Sequence, residues 1–246
     1  NKFVVMPSIK NNWFIISSGL APIYKSPKFN SNYLTEASYG ESCKILDIHD
    51  KWLHVQCEDG YKGWVNKFYG YQSNTKNDYS YIIAYPNDEG FFNAKYPFGA
   101  KLTKKRTGSI SIDDQLNYDN ILKILNNLIG IPYKWGGKTS LGFDCSGLVQ
   151  STLQIFGLKI PRDSKDQWQF LNSCIIALDE AKNGDLHFFE KDGKICHVGF
   201  SFGGASIIHS QGSVKKESLN ENHRNFNKNL LDIYLASTSI RRKFKL

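Results

Sequence analysis

One cysteine of the chain lies where a helix is predicted to begin. After Cys145, apolar residues recur at helical spacing until Gly157, namely Leu148, Val149, Leu153, Ile155 and Phe156. Unpaired N–H groups and the helix dipole at such a position stabilise an anion and lower the pKa of a thiol. We therefore expect Cys145 to be a nucleophile, the alternative being a small buried hydrophobic residue.

Two histidines lie in segments that alternate like strands. If Phe202-Gly203-Gly204 is a three-residue hairpin loop, His197 lies directly opposite His209 on the same face. Their Cβ atoms are then about 4.5–5.5 Å apart. One imidazole can act as the base for Cys145 while the other orients it. We choose His197 as the base because it lies mid-strand beside Gly199.

Five short motifs follow one another between Asp119 and the C terminus. They are Tyr133-Lys134-Trp135-Gly136-Gly137, Phe143-Asp144-Cys145-Ser146-Gly147-Leu148, Gly184-Asp185-Leu186-His187-Phe188-Phe189, Cys196-His197-Val198-Gly199 and Ile208-His209-Ser210. In order and spacing they resemble the NlpC-type cysteine peptidases, papain-like hydrolases of bacterial cell-wall peptides.

That resemblance implies amide hydrolysis through a thioester. Cys145 is then the nucleophile, His197 the general base and His209 the orienting third member. Tyr133 matches a tyrosine that in this family hydrogen-bonds near the reacting carbonyl. His187 departs from the family pattern, which usually has an apolar residue there, and we interpret it as tolerated rather than catalytic.

The N-terminal third has short alternating segments bounded by Gly or Asp, typical of a small barrel. Gly40-Glu41, Trp52-Leu53-His54-Val55 and Gly60-Tyr61-Lys62-Gly63-Trp64-Val65 resemble the strand signature of bacterial SH3-like domains. We predict an α+β protein: an all-β SH3-like barrel over residues 1–77, a second partial barrel or linker strands over 78–115, and the papain-like cysteine peptidase domain over 116–246.

Two motifs resemble one branch of the family, the γ-D-glutamyl-L-diamino-acid endopeptidases of the dipeptidyl-peptidase VI type. They are Asp144-Cys145-Ser146 and Arg162-Asp163-Ser164-Lys165-Asp166-Gln167. This resemblance implies that Asp144, Ser146, Ser164 and a barrel tyrosine hold a free N-terminal L-alanine. For the tyrosine we choose Tyr61, with Glu58 as a second acid from the same turn.

These residues also have structural interpretations. Ser164 or Asp163 can cap a helix that runs through Gln167, and Tyr61 can be a packed barrel aromatic residue.

The expected function is cleavage of the γ-D-glutamyl-L-diamino-acid bond of murein peptides by a cysteine endopeptidase. Alternatives are a wall-remodelling hydrolase of intact peptidoglycan, a non-catalytic wall-binding module, and an acyltransferase or amidase on a related scaffold. The intact set of Cys145, His197 and His209 argues against the non-catalytic alternative. The sequence leaves open whether the diamino acid is diaminopimelate or lysine, and the oligomeric state.

The chain has 246 residues and a net charge of +8, with 31 Lys and Arg against 23 Asp and Glu. No groove-reading helix or RNA-binding signature accompanies the scattered positive residues, so we expect no nucleic-acid partner. No apolar run approaches the ~18 residues of a membrane span. Without a Cys-x-x-Cys or His-Glu-x-x-His pattern we expect neither metal nor cofactor.

Five cysteines, an odd number, fit a free Cys145. Cys43 and Cys57 fall on predicted neighbouring strands, either paired in an oxidising compartment or as reduced buried thiols. The chain begins at Asn1 rather than Met, which favours a removed leader and a secreted, periplasmic or cell-envelope location over a cytoplasmic one.

Overall fold

A computed structural model of the protein describes residues 12–114 and 117–246. Asn1, on which the expectation of a removed leader rests, lies outside the described residues. The N-terminal strands are β1 (Trp13–Ile16), β2 (Leu20–Tyr24), β3 (Tyr33–Ser38), β4 (Ser42–His49), β5 (Trp52–Gln56), β6 (Lys62–Asn66) and β7 (Gly70–Ser73). They form one antiparallel sheet in the order β3-β2-β6-β5-β4-β1-β7, which we call the barrel.

The barrel closes over alternating apolar side chains. Its buried core includes Phe14, Ile23, Ala37, Leu53, Val55 and Val65. Asp50 turns β4 into β5 with a left-handed φ of 51°, a conformation that Asp tolerates better than most residues. Cys43 and Cys57 are both buried free thiols with their sulfurs 3.9 Å apart, well beyond the ~2.05 Å of a disulfide.

A small three-stranded sheet follows, with strands β8 (Tyr81–Ile83), β9 (Lys101–Leu102) and β10 (Ser109–Ser111) in the order β10-β8-β9. On one side Ile83 packs with Tyr39 of the barrel. On the other side Phe98 meets Phe143 edge to face at 5.9 Å within the C-terminal core. The domain boundaries at residues 77 and 115 stay predictions, and residue 115 lies outside the described residues.

The C-terminal part begins with α1 (Ile121–Asn127), β11 (Lys138–Thr139), β12 (Gly142–Phe143), α2 (Cys145–Ile155) and α3 (Ser164–Leu171). It continues with β13 (Ile175–Ile176), β14 (Leu186–Lys191), β15 (Lys194–Ser201), β16 (Ser206–Gln211), β17 (Ser213–Ser218), α4 (Lys228–Leu231), β18 (Tyr234–Thr238) and α5 (Ile240–Phe244). Six of these strands form an antiparallel sheet in the order β13-β18-β14-β15-β16-β17. In the described residues we find no helix long and apolar enough to cross a membrane.

Helix α2 begins at Cys145, as its sequence predicts. Asp144 is the N-cap, and its Oδ1 accepts the N–H of Gly147 at 2.6 Å. The apolar stripe of Leu148, Val149 and Leu153 is fully buried against the sheet. The helix therefore carries the cysteine on a rigid, solvent-excluded support.

The hairpin loop between β15 and β16 begins one residue later than predicted. The N–H of Phe202 donates to the carbonyl of Ser206 at 3.0 Å, so the loop is Gly203-Gly204-Ala205 rather than Phe202-Gly203-Gly204. Both glycines take left-handed φ values, 105° and 53°, which only glycine adopts without strain in succession. The loop keeps three residues, and its odd length preserves the face of every side chain.

The shifted loop changes which residue lies opposite His209. The register pairs Phe200 with Ile208, which brings Gly199 rather than His197 across from His209. The predicted direct pairing of the two histidines is wrong, whereas their placement on one face is right. A Cβ built on Gly199 would lie 2.7 Å from the Cβ of His209, so only glycine leaves room for that imidazole.

A buried carboxylate joins the barrel to the C-terminal part. Glu36 of β3 accepts the N–H of Lys138 at 2.8 Å and the hydroxyl of Thr139 at 3.0 Å through one oxygen. Its other oxygen accepts from the Tyr33 hydroxyl at 2.7 Å and Lys134 Nζ at 2.8 Å. A fully buried charge with all its lone pairs engaged fixes the barrel against β11.

Candidate active site

A cleft of about 670 Å³ lies between the barrel and the C-terminal part. The barrel lines it with Tyr33, Leu34 and Tyr61. The predicted site residues that line it from the C-terminal part are Tyr133, Asp144, Cys145, Ser146, Ser164 and His197. The structure thus brings together seven of the nine predicted site residues around one cavity, and His209 lies directly behind His197.

Glu58 is the predicted residue that lies elsewhere. Its carboxylate accepts the N–H of Ser42 at 3.0 Å and forms an ion pair with the buried Lys101. It is not among the residues that line the cleft. Glu58 therefore serves the packing of β4 against β9.

The Cys145 thiol lies at the first turn of α2, next to the backbone N–H groups of Val198 and Ser146. These amides and the Arg162 guanidinium favour the thiolate, but burial and the neighbouring Asp144 carboxylate outweigh them. Together they raise the pKa of Cys145 to about 12. The expectation that the helix start favours a thiolate is thus reversed in the resting site, because removal from water costs more than the helix end contributes.

The two site histidines and a carboxylate form a continuous hydrogen-bonded row. His197 Nε2 lies 2.7 Å from His209 Nδ1, and His209 Nε2 lies 2.8 Å from Oε2 of Glu217. Burial, the His209 ring and the Lys215 ammonium lower the pKa of His197 to about 3. The imidazole of His197, which lines the same cleft as the thiol, is therefore neutral at physiological pH, as a general base must be.

Tyr133 faces the cleft with 37% of its surface exposed. Burial of its ring, together with nearby Cys145 and Asp144, raises the pKa of its hydroxyl to about 12. The phenol therefore stays protonated and can donate a hydrogen bond to an oxyanion in the cleft.

Asp144 is saturated with hydrogen-bond donors. Its Oδ1 accepts from Gly147 N–H and Arg162 Nη1, and its Oδ2 accepts from Gly136 N–H at 2.9 Å and Arg162 Nη2 at 2.7 Å. Ser146 Oγ adds a longer contact at 3.3 Å. A carboxylate has about four acceptor sites, so Asp144 has little capacity left for a further cation.

The neighbouring Asp163 has the open carboxylate. Asp163 occupies the N-cap position of α3 but makes no side-chain capping bond, and its Oδ2 instead accepts from the Tyr61 hydroxyl at 3.3 Å. Partial burial raises the pKa of Asp163, while the charge of Arg162 and the Tyr61 hydroxyl act in the opposite direction. Tyr61, Asp163, Ser164 and Lys165 together line the barrel end of the cleft.

His187 lies away from the cleft lining, on β14. It is fully buried, with Nδ1 2.8 Å from the hydroxyl of Ser237, and its Nε2 has no partner among the described residues. Burial lowers the pKa of this imidazole to about 4. The ring is a neutral core side chain, in keeping with its interpretation as tolerated.

Within residues 12–114 and 117–246, one group has the geometry to hold a metal ion. It comprises Glu41, Cys43 and Cys57 in the barrel core, with ligand atoms within 4.8 Å of one another. The Cys43 thiol and burial raise the pKa of Cys57 well above its ordinary value. The Glu41 oxygens accept the N–H groups of Ser38 and Glu58. Protonated thiols and an occupied carboxylate fit packing better than metal binding.

Three residues of the site are not among those that the sequence predicts. Arg162 and Asp163 lie in the motif that contains the predicted site residue Ser164. Glu217 lies outside every motif. Its signal is the turn at Gly212, which pairs His209 with Lys215 and thereby sets Glu217 one diagonal step from His209 on the same face.

Two family models match the chain. The NlpC/P60 family matches residues 130–233, and the bacterial dipeptidyl-peptidase SH3 domain matches residues 23–67. A γ-D-glutamyl-L-lysine dipeptidyl-peptidase of Bacillus subtilis is 27% identical over 218 residues, which cover 74% of this chain and 73% of that protein. A murein DD-endopeptidase of Escherichia coli is 40% identical over 86 residues, which cover 33% of this chain and 32% of that protein.

Among solved structures, an NlpC/P60 family protein of Bacillus cereus superposes with a TM-score of 0.74 at 18% identity. The match covers 92% of this chain and 99% of that one. At this identity the likeness shows the fold alone. It confirms the predicted class, an SH3-like all-β part followed by a papain-like α+β part.

Proposed function

Because the chain carries an NlpC/P60 domain behind a bacterial dipeptidyl-peptidase SH3 domain, we propose that it is a cysteine peptidase of short murein peptides. The bond cleaved is the one between γ-D-glutamate and an L-diamino acid. Support comes from the B. subtilis relative, whose name gives a γ-D-glutamyl-L-lysine dipeptidyl-peptidase. The observation that carries the proposal is that the barrel walls the same cleft that holds Cys145.

The chemistry starts from a neutral thiol and a neutral imidazole. The Cys145 sulfur attacks the γ-carbonyl carbon while its proton passes to Nδ1 of His197, the ring nitrogen that His209 leaves free. The carbonyl oxygen becomes an oxyanion that backbone N–H groups at the start of α2 and the Tyr133 hydroxyl stabilise. Collapse expels the diamino acid amine, which takes the proton from His197, and water then hydrolyses the thioester.

Proton transfer from Cys145 to His197 ionises both groups at once, although burial disfavours the charged form of each group alone. Burial disfavours both the thiolate of Cys145 and the imidazolium of His197 when each is charged by itself. Transfer of the proton creates both charges together in the same cleft, so that each stabilises the other in a low dielectric. The attack on substrate is then coupled to the transfer rather than preceded by a free thiolate.

The free amino end of the substrate belongs at the barrel end of the cleft. A substrate ammonium there meets the Asp163 carboxylate and the hydroxyls of Tyr61 and Ser164. Asp144, the acid chosen from the motif, acts more through Arg162 because its lone pairs are already engaged. An ammonium held by the Asp163 carboxylate makes a charge-assisted hydrogen bond, which a blocked peptide cannot make.

The names of these relatives support an extracytoplasmic place of action. The E. coli protein is named a murein endopeptidase, and murein lies outside the cytoplasmic membrane. We propose that this enzyme acts in the cell envelope or outside the cell. We also propose soluble peptides rather than intact sacculi as the substrate, because barrel residues line the cleft and leave less room for a polymer.

Peptide hydrolysis followed by mass spectrometry tests the function. L-Ala-γ-D-Glu-diaminopimelate and its lysine counterpart, each with and without an N-acetyl group, are incubated with the full chain. We expect wild type to cleave only the unblocked peptides and Cys145→Ala to cleave none. Cys174→Ala, a thiol outside the cleft lining, is the matched control and should cleave like wild type.

Two outcomes contradict the proposal in different ways. Equal cleavage of N-acetylated peptides, or release of peptides from intact sacculi, would indicate that the protein is a wall-remodelling hydrolase. Binding of the peptides with no cleavage by wild type assigns a non-catalytic binding protein.

A further inference from the structure

His209 lies between another histidine and a carboxylate. Its Nδ1 is 2.7 Å from Nε2 of His197, and its Nε2 is 2.8 Å from Oε2 of Glu217. His209 is fully buried, and the Glu217 side chain is 18% exposed. Both nitrogens of His209 are therefore used, and neither is available to water.

The carboxylate decides the direction of every hydrogen bond in this row. An ionised carboxylate only accepts, so the Nε2 of His209 carries the proton and donates it to Glu217. In the neutral ring Nδ1 is then an acceptor, and Nε2 of His197 must be the donor to it. The remaining nitrogen of His197, Nδ1, is left with its lone pair for the Cys145 proton.

The surroundings of Glu217 keep it ionised. Partial burial alone would raise the pKa of Glu217, but hydrogen bonds from Asn227 and Lys215 and the contact with His209 lower it below its ordinary value. Asn227 Nδ2 donates to Oε2 at 2.8 Å, and Lys215 Nζ lies 3.1 Å from Oε1. Burial meanwhile lowers the pKa of His209, so that this ring stays neutral between its two partners.

We propose that Glu217 is a positioning residue that fixes the tautomers of His209 and His197 and thereby presents Nδ1 of His197 as the general base. The proposal rests on the proposed peptidase function. Once His197 has taken the thiol proton, the negative charge of Glu217 also stabilises the imidazolium through the intervening ring.

Nitrogen-15 NMR of the full chain with labelled histidines tests the tautomers without any substrate. In wild type we expect His197 and His209 both to carry the proton on Nε2, with unprotonated Nδ1. In Glu217→Ala the His209 signal should change to the Nδ1–H form or to a mixture. A wild-type His209 with the proton on Nδ1 would overturn the proposal whatever the substrate proves to be.

Kinetics provides a second, graded test. Loss of an orienting carboxylate from a serine protease triad lowers kcat by about 10⁴-fold, and here one more ring intervenes, so we expect about a 10- to 100-fold fall for Glu217→Ala. KM should stay near the wild-type value. Glu217→Gln keeps an acceptor oxygen without the charge and should recover part of kcat. Glu221→Ala removes an exposed acid four residues away and should act like wild type.

Alkylation of Cys145 by iodoacetamide, followed at that site by mass spectrometry, separates this proposal from the choice of substrate. Glu217→Ala should slow alkylation about 10-fold or more even if no murein peptide is cleaved. Unchanged alkylation and unchanged tautomers in Glu217→Ala would reduce Glu217 to a packing residue; should the alanine variant fail to fold, the wild-type tautomers decide between the two roles.

Discussion

Arg162 holds both carboxylate oxygens of Asp144, with Nη1 3.0 Å from Oδ1 and Nη2 2.7 Å from Oδ2. The same guanidinium donates to Ser146 Oγ at 2.9 Å and, through Nε, to Thr35 Oγ1 of the barrel at 3.0 Å. The residues on both sides of Cys145 are thus tied to one buried cation that also contacts the barrel. The first turn of α2 is therefore positioned from outside the C-terminal part.

Replacement of Arg162 by Met should destabilise the fold. It leaves the buried Asp144 carboxylate without its opposite charge, and breaking a buried ion pair in this way costs about 3–5 kcal/mol. The free energy of unfolding is measured by urea titration of tryptophan fluorescence. Arg242→Met is the control, because Arg242 and Glu180 form an exposed pair at 4.0 Å whose loss should change stability by less than about 0.5 kcal/mol. Equal urea midpoints for the two variants would contradict the role assigned to Arg162.

Stability should fall with acid through the buried histidines, and His187 is the clearest case. Burial lowers its pKa to about 4. Between about pH 6.5 and 4 this histidine is therefore protonated in the unfolded chain but neutral in the folded chain. The contribution is complete above pH 6.5 and is lost as pH falls towards 4, amounting to about 3 kcal/mol.

His187→Leu should therefore flatten the dependence of the urea midpoint on pH between 6.5 and 4. At pH 7 the variant should stay within about 1 kcal/mol of wild type, because Ser237 keeps Tyr234 as a hydrogen-bond partner. The exposed His223→Gln serves as the control and should keep the wild-type slope. Identical slopes for His187→Leu and wild type would show that the fold does not lower the pKa of His187.

The Cys145 thiol should not show the thiolate plateau of an activated cysteine at neutral pH. Burial and Asp144 raise its pKa to about 12, so its alkylation rate should keep rising with pH from 6 to 9. Rates are followed at Cys145 by mass spectrometry under pseudo-first-order conditions. His197→Ala removes the base and should lower the rate throughout. A rate that is already maximal at pH 6 would mean that Cys145 and His197 rest as an ion pair.

Asp163→Asn should impair selection of the free amine. Loss of one charge-assisted hydrogen bond is worth about 1.5–3 kcal/mol, which corresponds to about a 10- to 100-fold fall in kcat/KM for unblocked peptides. The loss should appear mainly as a higher KM, because the amine lies away from the reacting carbonyl. Asp166→Asn, exposed on the same helix and absent from the cleft lining, is the matched control. An unchanged KM in Asp163→Asn would contradict this role and favour Asp144 as the residue that binds the substrate amine.

The elements that local sequence determines were predictable. The start of α2 follows from a capping aspartate and an apolar repeat, and the same face of His197 and His209 follows from an odd loop length. The one-residue shift of that loop was not predictable, because Gly203 and Gly204 both tolerate left-handed φ and either placement satisfies the pattern.

Contacts between distant segments account for what the sequence did not reveal. The helix start lowers a thiol pKa by a local effect, whereas the burial that overrides it at Cys145 depends on the whole surrounding fold. Likewise, the motif predicts that the Asp144 carboxylate is available to the substrate. In the structure, Arg162, 18 residues away, is hydrogen-bonded to it. The sequence predicts Glu58 in the cleft, whereas in the structure its carboxylate forms an ion pair with Lys101.

The buried carboxylate of Glu36 holds one side of the cleft in place. Three of its four hydrogen bonds tie β3, which carries Tyr33 and Leu34, to Lys134, Lys138 and Thr139 at distances of 2.8–3.0 Å. Outward movement of this strand would break the hydrogen bonds and the ion pair of a fully buried carboxylate. The barrel residues therefore form a fixed boundary for any peptide that lies in the cleft beside Cys145.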